Sequence, residues 1–220
     1  MSSITQRIIV DLIVFDLDGT LADTLPDIAA AANFACRRLG LPEHSPAAIR
    51  GMIGGGERKL IERLAGPAHR DRAEECLELY LDHYTRHNGE LTRLYPEVPE
   101  TLAVLSGKKL AVLSNKLQRL TRQTLEAIDI ARFFAAIRGG GEGLPLKPEP
   151  AALLSLTADL GGAPSRSLMV GDKIADIRAG QEAGAFTVAV TYGYGDLDAL
   201  RAASPDFLLA RFSQLPDILV

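Results

Sequence analysis

The sequence has 220 residues, a formal net charge of −4 and an apolar fraction of 47%. This length fits one domain or a core with an insert, and the composition excludes disordered and fibrous proteins. The charge balance and the absence of a basic run argue against nucleic acid as a partner. No segment approaches the roughly 20 apolar residues of a membrane span, and Cys36 and Cys76 have no metal-ligand spacing. We expect a soluble, cytoplasmic protein without a membrane partner.

Short apolar runs along the chain predict the buried strands of a parallel sheet. Helical patterns at 117–128, 151–160 and 174–183 separate several of these runs. Strands that alternate with helices of this length indicate right-handed crossovers, so the fold class is α/β with a Rossmann-like, doubly wound parallel sheet. The predicted strands span residues 8–15, 109–113, 133–137, 168–170 and 186–190, with a weaker edge strand at 206–209.

Residues 23–90 have a different pattern, because no strand-like run interrupts them. Helical periodicity covers 27–39, 57–64 and 72–87, and Pro and Gly residues separate these segments. We expect a discontinuous α/β core formed by residues 1–22 and 91–220. Residues 23–90 are expected to form a small helical domain inserted after the first strand.

Polar residues cluster where the predicted strands end, which is the edge at which open parallel sheets bind ligands. Converging carboxylates would repel one another unless a cation lies among them, and oxygen ligands without His or Cys favour Mg²⁺. A lysine and hydroxyl groups nearby suit phosphoryl oxygens, so the set predicts a phosphoryl-transfer site in which a carboxylate can be the nucleophile. The residues concerned are Asp16, Asp18, Thr20, Ser114, Asn115, Lys147, Asp172, Lys173 and Asp176.

The segment from Val14 to Leu21, VFDLDGTL, resembles the first motif of the haloacid dehalogenase-like superfamily of phosphatases. The later motifs follow in that family's order, and the helical insert resembles its small cap domain. More narrowly, the chain resembles the phosphoglycolate phosphatase-like branch. The residues that carry the resemblance are Ser114-Asn115, Lys147-Pro148, Gly171-Asp172 with Asp176, Ile53-Gly54-Gly55-Gly56, Tyr95-Pro96 and Gly139-Gly140.

The resemblance implies a catalytic role for the two aspartates of the first motif. Asp16 would attack phosphorus and ligate Mg²⁺. Asp18 would protonate the leaving oxygen and then activate water, while its backbone carbonyl ligates the metal. Thr20 and Ser114, with Asn115 beside the latter, would bond the phosphoryl group or orient Asp16, although Ser114-Asn115 could instead cap the following helix.

The same resemblance implies that the remaining motifs supply positive charge and metal ligands. Lys147 would offset the negative charge of Asp16 and of the phosphate. Asp172 would complete the metal site, and Asp176 would act behind it through water or by holding Lys173. The chain departs from the branch at Lys173, where Ser or Thr is commoner, and at Gly141, which replaces an aspartate.

The insert offers weaker candidates for substrate contact. Gly54, Gly55 and Gly56 are either a flexible joint or a loop whose N–H groups face the leaving group. Arg58 and Lys59, like the other basic residues near this loop, are either solvated or bind a carboxylate of the substrate. His83 and His87 have a zinc-compatible spacing but no third ligand, so a solvated helix face is favoured.

These observations predict a Mg²⁺-dependent hydrolase of small phosphate monoesters that acts through an aspartyl-phosphate, with 2-phosphoglycolate as the leading substrate. The alternatives are a phosphatase of a sugar phosphate, a nucleotide or pyrophosphate, or a sugar phosphomutase. A non-catalytic phosphate-binding or regulatory protein with the same fold is the rival from another class. The expected partner is a small phosphorylated metabolite, bound by a monomer or a homodimer whose cap closes over the core.

Overall fold

The computed structural model describes residues 7–141 and 143–220. Its main sheet contains six parallel strands: β1 (Leu12–Phe15), β4 (Lys109–Leu117), β5 (Ala136–Gly140), β6 (Ser167–Gly171), β7 (Phe186–Val190) and β8 (Phe207–Leu209). A second, two-stranded sheet is formed by β2 (Ala22–Asp23) and β3 (Arg93–Leu94). The described helices are α1 (Leu25–Leu39), α2 (Pro46–Met52), α3 (Gly56–Ala65), α4 (Ala73–His87), α5 (Val98–Val104), α6 (Gln118–Ala127), α7 (Ala151–Asp159), α8 (Ile174–Ala183) and α9 (Leu197–Ala202).

The strand order is β5-β4-β1-β6-β7-β8, which places β1 between β4 and β6. All four residues of β1 are buried. Phe15, the last of them, pairs with Val112 of β4 and with Val170 of β6. The carboxyl ends of β1 and β6 therefore lie side by side, and β4 continues past them at the same edge.

Side chains of the central strands alternate between two apolar layers, as the period of a strand requires. Ile13 and Phe15 lie in the cluster that also holds α5, whereas Leu12 and Val14 face the cluster that contains Leu153 of α7. Helices thus cover both faces of the sheet. This arrangement is typical of parallel sheets, and the α/β, Rossmann-like fold class is confirmed.

The boundaries of several elements differ from those predicted, although β7 and α8 match to the residue. The first strand is shorter, since Ile8 makes only an isolated bridge to Leu219 and the Asp11 carboxylate pairs with Arg166 at the surface. The strand predicted at 133–137 begins at Ala136, because Ala131–Phe133 forms a turn of 3₁₀-helix. The short elements α2, α5, α9, β2 and β3 were not predicted.

Helices α1 to α4 lie between β2 and β3 in the chain, and we call this segment, residues 24–92, the helical insert. Its apolar side chains form a separate cluster, in which α1 packs against α4 and which Leu120 of α6 joins from the core. The pairing of β2 with β3 brings together the two points where the chain leaves and rejoins the sheet. The predicted division into domains at residues 22/23 and 90/91 stays a prediction. None of the described helices is long and apolar enough to cross a membrane.

The buried Asp27 carboxylate joins the start of the insert to its end. Its two oxygens accept hydrogen bonds from the N–H groups of Gly89, Leu91 and Thr92 at 2.9–3.0 Å. The Thr92 hydroxyl donates a further one at 2.6 Å. A buried acceptor with four donors fixes the returning chain against α1, because each donor would otherwise be left without a partner.

We expect Asp27→Ala to lower the free energy of unfolding by about 3 kcal/mol, since it removes a charged acceptor and leaves three backbone donors unsatisfied. Urea denaturation of the purified protein measures the change. Asp71→Ala, at an exposed aspartate of the same insert, is the matched control and should change stability by less than about 0.5 kcal/mol. An equally small effect of Asp27→Ala would contradict this reading of the contact.

Candidate active site

The two aspartates of the first motif lie just beyond the carboxyl end of β1. The Asp16 N–H donates to Val170 of β6 at 2.9 Å, which continues the pairing of the strands by one residue. Gly19 then turns the chain with a φ of 90°. A Cβ atom at Gly19 would lie 2.4 Å from an Asp172 oxygen, so only glycine allows this close approach.

Three buried carboxylates, those of Asp16, Asp172 and Asp176, form a cluster whose nearest oxygens lie within 4.8 Å of one another. Asp172 accepts a hydrogen bond from the Thr20 hydroxyl at 3.0 Å and one from the Tyr194 N–H at 2.7 Å. Thr20 therefore holds Asp172 in this structure, and its expected contacts with the phosphoryl group or with Asp16 stay predictions. The Thr20 side chain is also fully buried.

The cluster has the chemistry of a site for a hard cation. Its donors are carboxylate oxygens without His or Cys, and such sets favour cations of the Mg²⁺ type. The buried Oδ1 of Asp16 has no hydrogen-bond partner among the described residues, although the Lys147 ammonium group lies 3.0 Å away. A cation would satisfy this oxygen, so the residues present fit a metal ion. Asp176 belongs to the same cluster, and its Oδ2 accepts the Lys173 N–H at 2.9 Å, which is one of the two roles expected for it.

Burial makes the carboxyl groups of Asp16 and Asp172 hard to ionise. It raises the pKa of Asp16 to about 6, against the opposing effect of Lys147. Burial also raises the pKa of Asp172 to about 7, and the nearby charges of Asp16 and Asp176 add to the shift. Like charges in a poorly solvated place disfavour the ionised form. The site therefore concentrates negative potential that a cation can neutralise.

Lys147 lies at the centre of this negative charge. Its Nζ contacts Asp16 Oδ1 at 3.0 Å and Asp176 Oδ1 at 2.7 Å, and donates to the Leu113 carbonyl at 2.6 Å. Its backbone is held by Asn115, which accepts from the Lys147 N–H and donates to the Lys147 carbonyl, both at 2.9 Å. Asn115 thus positions Lys147, which is a different function from capping a helix.

Lys116 is a site residue that the sequence analysis did not select. Its buried Nζ lies 2.6 Å from Asp18 Oδ1 and 2.8 Å from the Tyr84 hydroxyl. The Thr24 hydroxyl donates to the same Asp18 oxygen at 2.6 Å. The spacing of two from Ser114 on β4 was the available signal, since residues two apart share one face of a strand.

A cavity of about 60 Å³ lies between these groups and the helical insert. Ser114, which is almost fully buried, reaches it from the core, together with the carboxylates and lysines described above. The insert contributes mainly apolar side chains and glycines to the opposite wall. These are Ile28, Ile53, Gly54, Gly56, Glu57, Leu60 and Tyr80.

Polar contacts hold the insert over the cavity. The Glu57 carboxylate accepts the Leu117 N–H of β4 at 3.1 and 3.2 Å, and burial raises the pKa of Glu57. Lys173 donates from its Nζ to the Ile53 carbonyl, and Arg50 donates to the Gly193 carbonyl. The structure therefore has the insert resting on the core, with the cavity covered.

The predicted glycine loop lies at the cavity. The basic residues that were candidates for binding a substrate carboxylate do not. Gly54, Gly55 and Gly56 all have positive φ angles of 84–117°, and the first and third line the cavity. Arg58 instead forms a surface ion pair with Glu74 at 2.8 Å, and Lys59 is exposed and does not line the cavity.

The two histidines of α4 form no metal site with other described residues. Their rings stack with centroids 4.5 Å apart, and His87 Nδ1 lies 3.1 Å from a Glu90 oxygen. Among the described residues, the acidic cluster at the sheet edge is the one group of three side chains close enough together to hold a metal ion. His87 is exposed, whereas His83 is half-buried and its ring lies against Phe34, with centroids 4.4 Å apart.

Tyr194 links the acidic cluster to the start of the insert, and no sequence motif identified it. Besides its N–H contact with Asp172, its hydroxyl accepts from the N–H groups of Thr24 and Leu25 at 2.7 and 2.9 Å. The hydroxyl in turn donates to Asp23 at 2.8 Å. Tyr194, which follows β7, thus holds Asp172 through its backbone N–H and holds the start of α1 through its hydroxyl.

Comparison with known proteins agrees with this architecture. Residues 13–190 match the family model described as haloacid dehalogenase-like hydrolase. The chain is 40% identical to a phosphoglycolate phosphatase of Aquifex aeolicus, over 93% of this chain and 94% of that protein. It is 36% identical to a phosphoglycolate phosphatase of Vibrio parahaemolyticus, over 95% and 96%.

Solved structures lead to the same family. A crystal structure of a protein described as a predicted phosphoglycolate phosphatase from Haemophilus somnus superposes with a TM-score of 0.88 at 32% identity. The alignment covers 95% of this chain and 97% of that one. Since the family model spans most of the sequence and the relatives align over nearly their whole length, the chain belongs to the haloacid dehalogenase-like hydrolases and is a phosphoglycolate phosphatase-like member of that family.

Proposed function

We propose that this protein is a Mg²⁺-dependent hydrolase of small phosphate monoesters, with 2-phosphoglycolate as its leading substrate. The observation that carries the proposal is the buried Oδ1 of Asp16, which accepts no hydrogen bond from the described residues and lies beside two more carboxylates and the Lys147 ammonium group. A nucleophilic carboxylate, a cation site and a lysine within contact distance are the parts that phosphoryl transfer requires. Relatives named phosphoglycolate phosphatase support the choice of substrate.

We propose that Asp16, Asp172 and the Asp18 carbonyl hold Mg²⁺, with Asp176 beside it. When bound, Mg²⁺ would supply positive charge for the phosphoryl oxygens and lower the repulsion among the carboxylates. The cluster of three carboxylates fits a hard cation and supports this assignment. Thr20 and the Tyr194 N–H would keep Asp172 in place for the metal.

In this proposal Asp16 attacks phosphorus. A bond forms between its carboxylate oxygen and phosphorus, the bond to the ester oxygen breaks, and the leaving oxygen takes a proton from Asp18. In the second step Asp18 takes a proton from water, the water oxygen bonds to phosphorus, and Asp16 is released with inorganic phosphate. Both hydrogen bonds that Asp18 receives from described side chains end on Oδ1, which leaves Oδ2 to carry the proton.

The other residues of the site would position the phosphoryl group and stabilise its charge. Lys147 stands within 3.0 Å of the attacking carboxylate, so its ammonium group would lower the repulsion between Asp16 and the phosphate. Asn115 would act through Lys147, whose backbone it holds. Ser114 lines the cavity and would donate its hydroxyl to a phosphoryl oxygen.

We further propose that residues 23–90 form a cap domain that opens at the two chain crossings near residues 23–26 and 90–95. Opening would break the hydrogen bonds that Glu57, Lys173 and Arg50 make across the boundary. Leu120 of the core, which packs into the apolar cluster of the insert, would remain beside the hinge. Closure would remove bulk water from the aspartyl-phosphate and limit the substrate to a small metabolite. We place the protein in the cytoplasm, where the free thiols of Cys36 and Cys76 would stay reduced.

The direct test is phosphate release from a panel of esters that includes 2-phosphoglycolate, sugar phosphates and nucleotides. We expect turnover with Mg²⁺, none with EDTA, and a loss of at least about 1,000-fold in Asp16→Asn, which lacks the nucleophile. Asp71→Asn, at an exposed aspartate, should retain full activity. Failure of the folded, Mg²⁺-bound protein to release phosphate from any ester would reject the proposal.

Asp16→Asn should also show how much the buried, ionised carboxylate of Asp16 destabilises the folded protein. Its pKa is about 6 in the folded protein against an ordinary 3.8, so the folded state favours the protonated form. The wild type therefore loses stability as pH rises through the window from 3.8 to about 6, and the asparagine variant does not. We expect the stability advantage of Asp16→Asn to grow across that window to on the order of 2 kcal/mol at pH 8.

Denaturant unfolding in EDTA at several pH values measures this advantage, because EDTA keeps cations from offsetting the charge. Asp71→Asn serves again as the control and should show no such pH dependence. An advantage that stays constant between pH 4 and pH 8 would contradict the proposed cost of burial.

Lys116→Met should lower kcat by about 10- to 100-fold, with a smaller change in KM, because it removes one of the two donors that orient Asp18. Lys109→Met is the matched control, since Lys109 begins the same strand with an exposed side chain. Steady-state kinetics with the best ester of the panel gives both constants. An unchanged kcat in Lys116→Met would show that Thr24 alone orients Asp18.

A further inference from the structure

Three lysines line the cavity, and they differ in their partners. Lys116 forms a buried ion pair with Asp18 at 2.6 Å, and Lys147 forms one with Asp16 at 3.0 Å. Lys173 forms no ion pair with any described residue. The cavity therefore holds one ammonium group whose charge is not offset by a neighbouring carboxylate in contact with it.

The Lys173 ammonium group is nevertheless fixed in place. Its Nζ donates to the Ile53 carbonyl and lies 3.3 Å from where a Cβ atom of Gly54 would be. The ring of Tyr194 lies beside it, with its centroid 5.7 Å from Nζ. An ammonium group has three N–H donors, and the carbonyl takes one of them. Two donors are left for a ligand in the cavity.

The position of this group relates it to the leaving group of an ester. Asp16 is at the core side of the cavity, whereas Lys173 reaches Ile53 and Gly54 on the insert side. An ester whose phosphorus faces Asp16 extends its organic part toward the insert. Of the insert side chains there, Ile28 and Leu60 are apolar, and the Glu57 carboxylate accepts the Leu117 N–H. Among the described lining residues on this side of the cavity, Lys173 therefore supplies the positive charge.

We propose that Lys173 is a specificity-determining residue that binds a carboxylate on the leaving group, so that the enzyme selects esters of small hydroxy acids over neutral esters of the same size. This inference rests on the proposed phosphatase function and adds the residue that distinguishes one ester from another. A charge-assisted hydrogen bond in a partly buried place gives a selectivity of about 10- to 100-fold.

Lys173 also has a structural role, because its hydrogen bond to the Ile53 carbonyl joins the core to the insert. If Lys173 only joined the core to the insert, its replacement would lower kcat/KM equally for all esters. A residue that binds the carboxylate would affect only the acid ester. The ratio of the two substrates therefore separates the two roles.

The test compares 2-phosphoglycolate with ethyl phosphate, whose leaving group has no carboxylate. In the wild type kcat/KM should favour 2-phosphoglycolate, and Lys173→Met should lower this preference by about 10- to 100-fold, mainly through KM. Lys173→Arg keeps the charge and should retain most of the preference. Lys59→Met, at an exposed lysine outside the cavity, should leave the ratio unchanged. An equal loss for both esters, or no change in the ratio, overturns the inference.

A binding measurement decides the question independently of turnover. Calorimetric titration of both esters into Asp16→Asn with Mg²⁺, with and without Lys173→Met, gives the ratio of dissociation constants. We expect Lys173→Met to weaken binding of 2-phosphoglycolate at least about 10-fold more than binding of ethyl phosphate. A ratio that Lys173→Met does not alter overturns the inference even when the wild type is an active phosphatase. Lack of turnover in the wild type would reject only the proposed function.

Discussion

The structure depends on the burial of several carboxylates at one edge of a parallel sheet. Asp16, Asp172 and Asp176 meet where β1 and β6 end, in a place where burial raises the pKa of the first two. Such a cluster is unfavourable by itself, because like charges repel and water cannot solvate them. Lys147 offsets part of the charge, and a bound cation would offset the rest. In the proposed function a cation would neutralise this charge, and the cation together with Lys147 would then attract the phosphoryl group.

Much of the surrounding structure keeps these carboxylates in place. Thr20 and the Tyr194 N–H hold Asp172, Asn115 holds the backbone of Lys147, and Lys116 holds Asp18. The residues that make these contacts come from three different segments of the chain, which follow β1, end β4 and follow β7, so the site exists only when the sheet is formed. The register of β1 with β4 and β6 is therefore the link between the fold and the proposed chemistry.

The sequence predicted the parts of the molecule that follow from local pattern. Apolar runs and helical periodicity predicted the main elements of the core, with β7 and α8 correct to the residue. The strand-end motifs lie together at one edge of the sheet, as the sequence predicted, and their roles stay predictions. Short elements such as α2 and β2 lack enough residues for a periodic signal. Lys116 and Tyr194 were missed because their roles depend on where side chains point across the site. Arg58 was selected for its charge, but its partner Glu74 on α4 turns it toward the surface.

The central claim is that Asp16 becomes phosphorylated during turnover, and chemical trapping tests it most directly. The enzyme would be mixed with ³²P-labelled 2-phosphoglycolate and Mg²⁺, quenched in acid within one turnover, and digested for peptide mapping. Our account predicts an acid-stable, hydroxylamine-labile label on the peptide that contains Asp16, formed and lost at rates compatible with kcat. Turnover without any labelled peptide, or with the label on another residue, would contradict it.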